Sequence, residues 1–193
     1  VQTRVAAGSP PAQGIEDTSE LARLREILGD LERAQSIDDP IARAEATSDW
    51  ADRIPSDQIV KVMARLSALD LVGDPGTLLL QHWTKTEPAA ASAWAAGQRD
   101  RSLREKVITT VALAWAETAL ADALKWVWSL PDNEATVPAG TRAEMAGNDR
   151  ALALPLVASQ PASPSNDELI LSLLRDLSAE DPGATYEWLR QWS

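Results

Sequence analysis

The stretch Trp83-Thr-Lys-Thr-Glu87-Pro88-Ala-Ala-Ala91-Ser-Ala-Trp94 returns in weaker form three times further along the chain, and this recurrence restricts the fold more than any other feature. It reads as a corner between two helices. Trp83 ends one amphipathic run, Glu87 supplies an acidic N-cap, Pro88 takes the first helical position, and Ala91 and Trp94 begin the inner face of the next helix. Aligned on the proline, the copies fall at Pro88, Leu120, Arg150 and Pro182, each about 30 residues after the last. The second copy runs from Trp115 to Trp126, the third from Asp149-Arg150 through Ala153 and Leu156, and the fourth from Leu177 through Asp181-Pro182 to Trp188. A two-helix unit of about 30 residues cannot bury its own apolar face, so neighbouring units must stack.

Composition agrees with helices. The apolar residues include 33 Ala and eight Trp, with one Tyr and no Phe, where a strand-built chain would carry more aromatic and β-branched side chains. The fold class expected is all-α, a right-handed α-α superhelix of about ten or eleven helices. Residues 1–15, with Gly8, Pro10, Pro11 and Gly14, read as a flexible leader. Residues 16–193 read as a single repeat domain, irregular over 16–77 and built of regular hairpins over 78–193.

Within that plan the first helix is capped by Asp17, Thr18 or Ser19 and carries Leu21, Leu24, Leu28 and Leu31 on one face. Asp39-Pro40 opens a second helix with Ile41, Ala44 and Trp50. Ser56 or Asp57 opens a third with Ile59, Val62, Met63, Leu66 and Leu69, and Asp74-Pro75 a fourth ending at Trp83. Further first helices of hairpins are expected near 102–115, 139–146 and 166–177. The second copy lacks proline, so one unbroken helix from Ser102 to Leu130 is its alternative form. Pro155 lies inside the third copy's second helix and should bend or end it near Leu154.

A net charge of −11 argues against a nucleic-acid backbone or an anionic membrane surface as partner. The excess is local: Glu16 to Asp57 holds twelve Asp and Glu against five Arg. Without cysteine, disulfides, thiolate metal sites and cysteine nucleophiles are excluded. No apolar run reads as approaching the roughly 18 residues that span a bilayer, so membrane insertion by this segment is not expected. The chain starts Val1-Gln2-Thr3, which reads as a processed or trimmed product; with the missing cysteine it is compatible with export to the periplasm or envelope.

Chemistry-bearing residues form no motif. His82 is the only histidine, too little for a zinc site or a triad. Asp38-Asp39 and Glu180-Asp181 precede prolines at helix starts, where capping accounts for them. Phosphate loops, nucleophile elbows, zinc-protease and calcium-loop patterns are missing, so the sequence names no catalytic, cofactor-binding or metal residue. Trp83, Trp94, Trp115, Trp126 and Trp188 occupy equivalent repeat positions and are expected to pack between helices. Trp50, Trp128 and Trp192 lie off that grid and are the candidate partner-binding anchors, because Trp is enriched at interface hot spots.

From about Leu78 to Ser193 the chain resembles bacterial α-helical repeat sequences with the consensus Trp-Ala-x-x-Asp-Pro-x-x-Ala-x-x-Trp, often followed by a Leu-Pro turn as at Leu130-Pro131. The resemblance implies a hairpin plan like that of tetratricopeptide proteins, although their own consensus is not matched. It implies scaffolding or partner binding and transfers no site residues. The function expected is therefore a non-catalytic scaffold or adaptor that binds a protein or peptide through an acidic helical-repeat surface, without cofactor. The alternatives are a glycan-acting enzyme with paired carboxylates in a Trp-lined cleft, or a structural segment of a larger envelope protein.

Overall fold

The computed structural model describes residues 13–68, 74–131 and 137–192, with the backbone alone for residues 13–17, 68, 74, 191 and 192. Every regular element among them is an α-helix. In chain order these are α1 (Gln13–Gln35), α2 (Pro40–Asp52), α3 (Ser56–Ala68), α4 (Asp74–Thr86), α5 (Pro88–Ala96), α6 (Arg101–Ser129), α7 (Ala139–Gly147), α8 (Arg150–Ala158), α9 (Pro164–Glu180) and α10 (Pro182–Trp192). The helices form two compact units, Val1–Leu78 and Leu79–Ser193.

In the first unit α1 packs on both α2 and α3. It starts at Gln13, so Asp17, Thr18 and Ser19 lie inside it rather than capping it. The 3.6-residue period of α3 is realised: Ile59, Val62, Met63 and Leu66 are all buried, while Leu69 lies outside the described residues. Ile41 differs from its expected inward placement and is 70% exposed. Asp39 caps α2 by accepting a hydrogen bond from the Ile41 amide at 3.2 Å, ahead of Pro40.

The second unit is a succession of packed neighbours: α5 on α6, α6 on α7 and α8, α7 and α8 on α9, and α9 on α10. Its corners repeat in the backbone. Glu87 (φ −139°, ψ 66°), Ala119 (−150°, 70°), Asp149 (−152°, 92°) and Asp181 (−139°, 85°) share one extended conformation. Each stands immediately before one of the aligned positions 88, 120, 150 and 182. At Glu87 and Asp181 this single residue joins two helices. Its N–H closes the first helix, on Trp83 O or Leu177 O at 2.7 Å, and its carbonyl accepts from Ala91 N or Thr185 N.

Three details depart from the sequence expectation. Glu87 makes no side-chain cap bond, because its longer side chain is poorly suited to the N-cap, a place taken well by Asp149 and Asp181. The hydrogen-bond ladder of α6 reads through from Arg101 to Ser129, yet Ala119 leaves the helical region, so two helical segments meet there without proline. α8 does not end at Leu154 but continues to Ala158 through Pro155. Pro155 faces solvent while Ala153, Leu154 and Val157 are buried, so packing holds the helix across the missing bond.

α6 also amends the reading of apolar runs. An 18-residue window in it has a mean hydropathy of 1.4, sufficient in length and composition to cross a bilayer. Half of that window is buried inside the protein, where Val107, Ile108, Val111 and Ala112 belong to the core.

Candidate interaction surfaces

Around each corner the same positions carry the packing. Three residues after the aligned position stand Ala91, Ala123, Ala153 and Thr185, all buried. Six after it stand Trp94, Trp126, Leu156 and Trp188, all half-buried. Five before it stand Trp83, Met145 and Leu177, buried, and Trp115, half-buried. The indoles meet across the turn: ring centroids of Trp83 and Trp94 are 6.0 Å apart, tilted by 58°, and those of Trp115 and Trp126 are 5.9 Å apart, tilted by 41°. Tilted pairs at this separation contribute about 0.5–1.5 kcal/mol beyond the area they bury.

The off-grid tryptophans have three different settings. Trp50 is only 2% exposed and its Nε1 donates to the Ile27 carbonyl at 2.8 Å, bracing α2 against α1. That is a core position, not the solvated helix face an anchor needs, and the reason is legible in the contact: a long ring reaches a backbone acceptor on the neighbouring helix. Trp128 is half-buried on α6, with part of its ring open to solvent. The side chain of Trp192 lies outside the described residues.

Within the first unit a groove of about 380 Å³ is lined by Gln35, Pro40, Arg43, Ala44, Thr47, Thr77 and Leu78. A hydrogen-bond relay stiffens one wall: Gln35 Nε2 donates to Thr47 Oγ1 at 2.8 Å, Thr47 Oγ1 donates to Arg43 O at 2.7 Å, and Arg43 Nη1 donates to Ile37 O at 3.0 Å. The groove mixes one cation, a carboxamide and a hydroxyl with apolar walls, a lining suited to a peptide segment. Hydropathy patterning could not single it out, since its lining comes from three separate helices.

The acids act locally. Asp39, Asp100, Asp149 and Asp181 cap helices, Glu180 and Asp176 approach Arg150, and Lys85 pairs with Glu117 at 3.0 Å. No group of three or more metal-ligating side chains occurs among the described residues.

Arg142 is the oddity of the third hairpin. It is 2% exposed, donates to Ser165 Oγ, and has a buried Nε without an acceptor. Its equivalents in the other hairpins are Leu80, Ala112 and Leu174.

The fourth hairpin contributes the surface that sequence periodicity missed. Four and seven residues after the aligned position, Ser92, Leu124 and Leu154, then Ala95, Val127 and Val157, are buried. In the last copy these places hold Tyr186, 64% exposed, and Leu189, 49% exposed. Four before it, Thr84, Ala116 and Ala146 are buried but Ser178 is exposed, and Leu171, two turns earlier on α9, is 62% exposed. The final helix thus keeps Thr185 buried and Trp188 half-buried, while Leu189, expected on the same inner side, faces out. Alignment of the copies could have flagged the face, because large apolar residues stand there in every full hairpin but the first.

No protein family, curated protein or solved structure matches the chain.

Proposed function

We propose that the chain is a non-catalytic scaffold that binds another protein or peptide through an acidic helical-repeat surface, its hairpins stacked as a right-handed α-α superhelix. The observation that carries this reading is the fourfold corner: one backbone conformation at Glu87, Ala119, Asp149 and Asp181, with the same positions packed around it despite different side chains. Such a unit is stabilised through its neighbours. Stacking of this kind builds an extended surface, which suits recognition of a polypeptide better than enclosure of a small substrate. The resemblance to tryptophan-cornered helical repeats supports the same plan.

Charge defines the partner's chemistry. With a net charge of −11, the surface favours segments bearing Lys and Arg and disfavours nucleic acid. Two measurements test the reading. An array of basic peptides should capture the full chain at low ionic strength and release it as salt rises; capture of none would overturn the binding role. Hydrogen exchange after Trp188→Ala should show protection lost in α9 and α10 first. Simultaneous loss in every helix would mean one cooperative bundle and would end the superhelix reading.

A further inference from the structure

The exposed side of the last hairpin repeats, at the places of Ser178, Tyr186 and Leu189, a surface that is covered three times earlier in the chain. On α9 it comprises Ser178 and, further back, Leu171, with half-buried Leu174 between them, and on α10 it comprises Tyr186 with Leu189 beside it. These residues recur at three- or four-residue spacing on each helix, so each set occupies one face. In the earlier hairpins the second helix is followed by a first helix packed on it: α6 on α5, α7 on α6 and α9 on α8. What covers the surface each time is a helix carrying an apolar stripe, whether Val107, Ile108 and Val111, or Met145 and Ala146, or Leu169, Leu173 and Leu177.

We infer that the face of Leu171, Ser178 and Tyr186 is a docking site for an amphipathic α-helix of a partner protein, one with leucine or valine at i, i+4 and i+8 like the first helix of a hairpin. The inference rests on the stacked-hairpin reading above. Three observations point to a helix. In each of the three earlier hairpins the element packed on the second helix is itself a helix. The position of Ser178 is small in every copy, Thr84, Ala116 and Ala146 being the others, and small side chains let a second backbone come close. The exposed side chains are large and apolar, and an aromatic such as Tyr186 offers much contact area for little lost freedom.

The helix comes from a different protein rather than a second copy. The chain's own stripes on α6, α7 and α9 are buried, so a second copy could lend one only by unfolding a hairpin.

The test uses the full chain and a fluorescein-labelled peptide with the α9 sequence, Pro164–Glu180, which here already covers the second helix of a hairpin. Fluorescence anisotropy should show saturable binding. Tyr186→Glu and Leu171→Glu should each weaken it about tenfold or more. Ile41→Glu, at an exposed apolar residue of the other unit, should leave it unchanged, and all three variants should keep the wild-type circular dichroism. Hydrogen exchange should show added protection on α10 when the peptide binds.

Absence of saturable binding, or binding that Tyr186→Glu does not weaken, would overturn the proposal. So would concentration-dependent self-association abolished by Tyr186→Glu, because the occupant would then be a second copy. If peptide docking fails while exchange still proceeds hairpin by hairpin and basic peptides still bind, only this inference falls. Loss of the hairpin-wise exchange pattern would bring down the stacking on which it stands.

Discussion

The first and third corners of the second unit make the same turn from different materials. The first uses Glu87-Pro88 and a pair of indoles 6.0 Å apart. The third uses Asp149-Arg150, with buried Met145 and half-buried Leu156 where the indoles stand. Their backbones nonetheless take neighbouring conformations, φ −139° and ψ 66° at Glu87 against φ −152° and ψ 92° at Asp149. Proline and tryptophan are therefore not what makes the turn. What the two corners share is a small buried residue, Ala91 or Ala153, whose amide bonds back to the carbonyl of the corner residue at 3.1 or 2.9 Å.

The largest effect separating the corners should come from their fillings. Trp83→Ala should cost about 3–5 kcal/mol and Met145→Ala about 2–5 kcal/mol in denaturant unfolding. The sharper comparison is the coupling. A Trp83/Trp94 double-mutant cycle should return about 0.5–1.5 kcal/mol, and the Met145/Leu156 cycle less. Equal couplings would show that the paired indoles add nothing specific.

Next in size is the proline of the third hairpin. Pro155 occupies an outward position where the other copies hold Ala93, Lys125 and Glu187. Pro155→Ala restores a backbone donor and should stabilise α8 by about 1–3 kcal/mol, the helix gain of roughly 3 kcal/mol being offset by added unfolded-state freedom. A destabilised variant would mean that the third corner needs its proline as much as the first uses Pro88.

Caps give a smaller contrast. Asp149 Oδ1 accepts from the Leu152 amide at 2.9 Å, so Asp149→Ala should cost about 1 kcal/mol. Glu87 makes no such bond, and Glu87→Ala should change stability by less than about 0.5 kcal/mol. Smallest of all should be Asp176→Ala, since an exposed ion pair with Arg150 at 3.8 Å is worth about 0–1 kcal/mol. Thermal unfolding in low and high salt would measure it, and a loss well beyond that range would contradict the assignment as a surface pair.

Much of the candidate surface was hidden from the sequence for a simple reason. Periodicity reports which residues share a helix face, but not what lies against that face. Leu154 and Tyr186 have the same place in the repeat; α9 packs on the helix of one, and the other stands 64% exposed. Trp50 looked available because it broke the indole grid, yet its N–H finds the carbonyl of Ile27 on α1, a partner no local pattern predicts. Gln35, Arg43 and Thr47 line a groove only because three helices converge there.

The sequence by itself determined the helical class, the near-constant spacing of the corners and the inward places of Ala91, Ala123 and Ala153, because these follow from propensity and from a 3.6-residue period acting along one stretch of chain. Tertiary structure alone decided that Ala119 turns without proline, that α8 passes through Pro155, that Glu87 does not cap, and that Tyr186 and Leu171 face outward. Each of these depends on a neighbouring helix, and burial is a property of two surfaces rather than of one.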